Sequence, residues 1–227
     1  MKYMETTCNL PLEDLPFTLF GLCLQEPMSL VTNLLIAIPA FVFFLRLRKE
    51  DDAFKKNWAF FFLFLSISTG LGGLSHVFFQ YTGMVGKMVT WFFSFISVFY
   101  SGRAMLSVPF LPPKIRKVGM SLLVVRILIF AVLAFATIDF LFITIDTAIG
   151  YLAYCLGLGI YYWRKGLNSF KYMVYGIIVL VPSIFIFLLK INPHIWFNKN
   201  DLSHVIIAIT ITFFYISVRN YKLEKNS

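Results

Sequence analysis

Apolar runs of about 18 to 23 residues, separated by short polar breaks, fill most of this chain, and that is the length a helix needs to cross about 30 Å of hydrocarbon. Seven runs stand out, at 29–46, 58–80, 87–108, 118–137, 140–162, 171–190 and 201–218. The pattern predicts an all-α membrane protein, a seven-transmembrane helix bundle in which residues 1–227 form a single domain. Residues 1–28 form an N-terminal segment on one side, and residues 219–227 a tail on the other. Within the second run, SISTGLGGLSH offers small residues that let helix backbones approach closely. Pro182 is expected to disturb the hydrogen-bond ladder of the sixth span.

Composition agrees with that pattern. Of the 227 residues, 59% are hydrophobic and only 14% charged, well short of the roughly 25% that a soluble domain carries. The start, MKYMETTCNLPLEDLP, is polar and acidic and lacks the apolar stretch of a cleavable signal peptide. A formal net charge of +9 would suit nucleic acid as a partner, but the basic residues lie in short loops beside the spans. They read as topology signals and contacts to anionic lipid headgroups.

Fourteen of the twenty Lys and Arg residues fall in the first, third and fifth loops with their flanks and in the C-terminal tail. Only Lys2, Lys87, Lys190 and Lys199 fall on the opposite side, while Arg103 and Arg126 lie within spans. This asymmetry predicts an outer N-terminus and a cytoplasmic C-terminus. Cys8 and Cys23 both precede the first span, where they form a bridge in an oxidising space or remain two thiols. Free thiols are the expected state here. Cys155 lies in an apolar run and reads as a small packing residue.

The orientation places the three histidines on one side. His76 is expected roughly 6 Å below the outer end of the second span, and His204 roughly 5 Å below the same surface in the seventh. His194 lies in the outer loop beside Trp196, an interface anchor. Asp201 and His204, three residues apart, share a helix face. Imidazole and carboxylate ligands suit zinc, and three ligands with an open position activate water for hydrolysis. The candidate metal ligands are therefore His76, His204, His194 and Asp201, with Asp201 and Ser75 as candidate catalytic groups. The plainer alternative has His194 as an interfacial residue and Asp201 as a cap for the seventh helix, with Asn200 in the turn.

Two further groups are polar where lipid is expected. Arg126 and Asp146 are placed to form an ion pair inside the bundle, either structural or an anchor for a polar headgroup. At the entry to the first span, Pro27 suits the first turn and Glu26 its positive end, with Thr32 and Asn33 facing other helices.

EPMSLVTN followed by an apolar helix, His76 after TGLGG, and His204 at the head of the seventh span together resemble the alkaline ceramidase-like proteins of the CREST superfamily. The resemblance implies a seven-span fold in which histidines of the second and seventh spans hold zinc. Three positions depart from that family's pattern. Gly72 stands where the family has serine, Asn200 where it has a second seventh-span histidine, and 87–108 contains no acidic residue. FNKNDLSHV is similar to segments of bacterial seven-span proteins, which implies a bacterial inner (plasma) membrane.

The expected function is a zinc-dependent hydrolase of a lipid amide or ester, with membrane lipids as surroundings and a lipid as substrate. Trp91, Phe92 and Tyr151 are candidates to line its pocket. The alternative is a non-catalytic seven-span protein that binds a lipid, a small molecule or a protein partner. A retinal protein is disfavoured because 201–218 holds no lysine for a Schiff base. Too few buried acidic residues are present for a proton relay.

Overall fold

The computed structural model describes residues 16–222. Seven helices in it are long and apolar enough to cross a membrane: α1 (Pro27–Leu47), α2 (Ala53–Val77), α3 (Phe79–Ser107), α4 (Pro113–Thr137), α5 (Leu141–Arg164), α6 (Phe170–Leu188) and α7 (Lys199–Asn220). The spans expected from the pattern thus exist, with boundaries shifted by a few residues. The largest shift is at the start of α3, expected at 87 and found at Phe79; α2 begins at Ala53, where Asp52 accepts a hydrogen bond from the Lys55 backbone N–H at 3.0 Å.

Ahead of α1 lies a feature the apolar pattern does not reveal. Strands β1 (Pro16–Leu19) and β2 (Leu22–Gln25) pair as an antiparallel hairpin. Its two loop residues, Phe20 and Gly21, have φ of 51° and 76°, the sign a tight primed turn needs to match strand twist. The backbone N–H of Cys23 donates to Tyr81 Oη at 3.1 Å and holds β2 against α3. Cys23 is disulfide-bonded, so the expectation of a free thiol there is overturned. Cys8, considered with it as a possible bridge, lies outside the described residues.

α1 has a central place in the bundle, because it packs against both α2 and α7. Its contact with α2 is close for a physical reason. A Cβ on Gly73 would stand 3.1 Å from the Leu30 Cα and 3.1 Å from the Asn33 Cβ, so glycine there sets how near the two backbones lie. Toward the C-terminal tail, the core is a cluster of aromatic rings. Trp58, Phe61, Phe62, Phe170, Phe214 and Tyr221 are all almost fully buried, and edge-on pairs such as Trp58–Phe61 at 4.8 Å fix their packing.

The junction between α2 and α3 differs from the sequence expectation. No loop separates them. Phe78 alone leaves helical geometry, and α3 begins at once, then breaks at Gly83 (φ 54°, ψ −150°) before resuming. Only glycine adopts that backbone readily. His76 is consequently the penultimate residue of α2, nearer its end than the pattern implies.

Candidate functional site

Glu26 joins β2 to α1 with a left-handed backbone, φ 47° and ψ 55°, and makes no capping bond to its own helix. Its carboxylate instead reaches α2, where His76 Nδ1 lies 2.5 Å from Glu26 Oε2. The other oxygen, Oε1, accepts from the Asn198 side chain at 3.4 Å. Burial raises the affinity of Glu26 for a proton, but the bond and charge of His76, the Lys87 ammonium and the Asn198 amide outweigh it. The carboxyl is held below the ordinary glutamate range. A charged Glu26 accepts the Nδ1 proton of His76. In the neutral imidazole that fixes the tautomer, with Nε2 as the bare nitrogen.

A second chain of bonds reaches His204. Asp201 Oδ1 accepts from Ser29 Oγ at 3.2 Å and from Thr32 Oγ1 at 3.0 Å, and Thr32 Oγ1 is 3.0 Å from His204 Nδ1. Thr32 has one hydroxyl proton and is surrounded by oxygens that only accept, Asp201 Oδ1 and the Met28 carbonyl at 3.0 Å. The proton therefore goes to one of them, and the hydroxyl oxygen accepts from His204 Nδ1–H. Asn33 Nδ2 lies 3.5 Å from the same nitrogen but already donates to the Ser29 carbonyl at 2.7 Å. His204 is thus set like His76, with Nδ1 protonated and Nε2 bare. Among the described residues, neither Nε2 has a hydrogen-bond partner.

The remaining candidates fall differently. Asp201 is the third residue of α7 and part of a capping box: Asn198 is the N-cap, and Asp201 Oδ2 accepts from the Asn198 backbone N–H at 2.9 Å. Both its oxygens are committed, so Asp201 orients rather than ligates. His194 is exposed in the loop before α7, where its Nδ1 accepts from the Trp196 N–H at 3.1 Å. It does not join the other two. Ser75 is buried and donates to the Gly72 carbonyl at 2.9 Å, one turn back along α2. The described residues bring no three of His, Cys, Asp and Glu into a metal-holding group.

Arg126 and Asp146 do form an ion pair, Nε to Oδ1 at 2.9 Å, with Asp146 fully buried. Gly150 makes room for it, since a Cβ there would stand 2.7 Å from Arg126 Nη1. The pair belongs to α4 and α5, and the Tyr154 ring lies 5.6 Å from the guanidinium. It shares no hydrogen bond with the histidine site, so it reads as structural. Tyr154 lies in a π-helical stretch of α5, Tyr151–Leu158. The proposed pocket aromatics also separate. Tyr151 packs edge-on to Phe214 in the main core, Trp91 sits with Phe95 in a second cluster, and Phe92 points outward, 54% exposed.

A family model matches residues 28–223, most of the chain. The chain belongs to a family of unknown function, DUF6962. Comparison with curated proteins and with solved structures finds no match. The matched stretch includes all three histidines, Ser29, Thr32, Asn33 and Asp201, and begins two residues after Glu26.

Proposed function

We propose that this is a membrane-embedded hydrolase-like protein acting on an amide or ester bond of a lipid, with zinc taken by Nε2 of His76 and His204. The reading follows the alkaline ceramidase-like resemblance. One observation carries it: Nδ1 of each imidazole lies in a chain of hydrogen-bonding contacts that includes a carboxylate, Glu26 directly for His76 and Asp201 by way of Thr32 for His204. Metal-binding histidines are commonly set in this way, because the second bond orients the ring and raises the basicity of the free nitrogen. A packing histidine has no need of it.

The donor set fits two of the three protein ligands that a catalytic zinc takes. Asp201 and His194, expected as the third, are engaged elsewhere. When bound, zinc supplies a Lewis acid and a water of lowered pKa. The residues' own work is orientation. Glu26 holds His76, and Thr32 with Asp201 holds His204. Ser29 supplies the second hydroxyl that balances the Asp201 charge.

The missing third ligand favours a second reading, in which the same site binds a lipid or small polar molecule without turnover. On either reading the site faces the outer side of a plasma membrane. The Lys/Arg asymmetry supports this orientation, and so does a disulfide at Cys23, which belongs in an oxidising space.

Elemental mass spectrometry of the protein, purified in detergent without added metal, tests the proposal. We expect about one zinc per chain, lost in both His76→Ala and His204→Ala. A parent protein that takes up no zinc even when it is supplied overturns the hydrolase reading and leaves the binding one.

A further inference from the structure

Side chains of the β1–β2 hairpin alternate between two faces, and its register puts Phe17, Leu19, Leu22 and Leu24 together on one of them. At the root of the hairpin Leu24 is only 5% exposed, whereas at the tip Leu19 and Leu22 are 48% and 43% exposed. The face that packs on the bundle at Leu24 therefore continues, still apolar, past the part of the bundle that covers it.

The edge of the bundle is marked by Tyr81. Its hydroxyl takes the Cys23 N–H, yet its side chain is exposed. From Cys23 the strand runs only about 10 Å further to the apex, so the tip projects beyond an exposed tyrosine. The level of the tip is also set. Tyr81 lies in the first turn of the spanning helix α3, and β2 is separated from the spanning helix α1 by Glu26 alone. The hairpin thus sits at the ends of the spans, where hydrocarbon gives way to headgroups and tyrosine rings concentrate.

Phe20 at the apex is 94% exposed and has φ 51°. Bulky side chains rarely adopt that backbone, and a primed turn is normally given to Asn, Asp or Gly. Within the protein the phenyl ring gains nothing in return. Residues 16–25 carry no charge, and the tip reads Leu-Phe-Gly-Leu, so it offers a charged or polar partner surface nothing to pair with.

We propose that Leu19, Phe20 and Leu22 insert into the bilayer interface beside α3, so that the hairpin anchors the entry to α1 to the lipid surface. Lipid is the partner because the bare apolar face continues from a bundle whose own edge meets hydrocarbon. The anchor goes beyond the proposed function and holds whether or not zinc binds.

The test uses the full chain with Phe20→para-fluorophenylalanine, introduced by amber suppression, and reads its fluorine NMR signal in phosphatidylcholine nanodiscs. One added fluorine keeps the ring's shape and does not draw the tip into the membrane as a tryptophan would. A lipid bearing a nitroxide near the top of its acyl chain should broaden the signal until it is lost, whereas a water-soluble gadolinium chelate should leave it visible. Phe20→Ser removes little protein contact, so thermal unfolding in detergent should not change. In nanodiscs, however, that variant should speed amide hydrogen exchange across residues 16–25.

A signal broadened by the chelate and not by the lipid places the tip in water and overturns the anchor. A signal broadened by neither places the tip against protein, a second copy of the chain included, and overturns it equally. Unchanged hairpin exchange in Phe20→Ser would show that the ring does not hold the hairpin to lipid, which also refutes the proposal.

Discussion

Replacing Thr32 by valine keeps the shape of the side chain and removes only its hydroxyl. Thr32 is almost fully buried, and its oxygen stands 3.0 Å from both Asp201 Oδ1 and His204 Nδ1. In the variant, Asp201 keeps Ser29 and the Asn198 N–H, so its loss is partial. His204 keeps only the Asn33 amide at 3.5 Å, which is a second donor facing Nδ1–H and no replacement. One buried donor is thus left without an acceptor, a cost of about 1–3 kcal/mol. For a chain of this length that lowers the midpoint of thermal unfolding by about 2–12 °C. Thr32→Ser restores the hydroxyl and should recover most of the loss. The assay is thermal unfolding in detergent followed by tryptophan fluorescence, paired with nitrogen NMR of the histidine rings, where Thr32→Val should shift the His204 tautomer and leave His76 unchanged. A valine variant with parental stability and an unaltered His204 signal would refute the bond chain from Asp201 to His204.

Two other substitutions probe the surrounding frame. Gly73→Val places a branched side chain where even a Cβ would lie 3.1 Å from the α1 backbone; overpacking of about 1–3 kcal/mol should lower thermal stability and, by moving α1 from α2, weaken the Glu26–His76 contact seen in the His76 NMR signal. Arg126→Met strands the buried Asp146 charge and should cost about 3–5 kcal/mol, whereas the double change Arg126→Met with Asp146→Leu should come within about 1 kcal/mol of the parent or exceed it. Equal stability of the single and double variants, by the same unfolding assay, would show that the pair is not coupled.

The membrane spans were legible because hydrocarbon thickness fixes their length, and lysines and arginines mark their ends. That His76 and His204 both bond to residues at the start of α1 is consistent with that count. Their partners were harder to read. Glu26 looked like a helix start because nothing in EPMSLVTN says that the chain turns left-handed at that residue and aims the carboxylate at α2. Asp201 looked like a ligand although Asn198 and Asp201, three apart before an apolar run, carry a local capping signature. Ser29, Thr32 and Asn33 gained their roles only from the packing of α1 against both α2 and α7, which hydropathy does not encode. The hairpin had only a short-range signal, two four-residue strands around Phe20-Gly21, and the long apolar runs beside it overshadow so brief a pattern. For the π-helical stretch of α5 we find no cause in the sequence.

Glu26, the residue leading into α1, supplies the Nδ1 partner of His76, and Thr32, six residues on, supplies that of His204. Because a helix moves as a rod, a displacement of α1 acts on both imidazoles at once. A slide of α1 by a single residue's rise, about 1.5 Å, exceeds the usual spread of hydrogen-bond lengths and would strain both contacts together. Whatever grips the N-terminal end of α1 therefore bears on both rings.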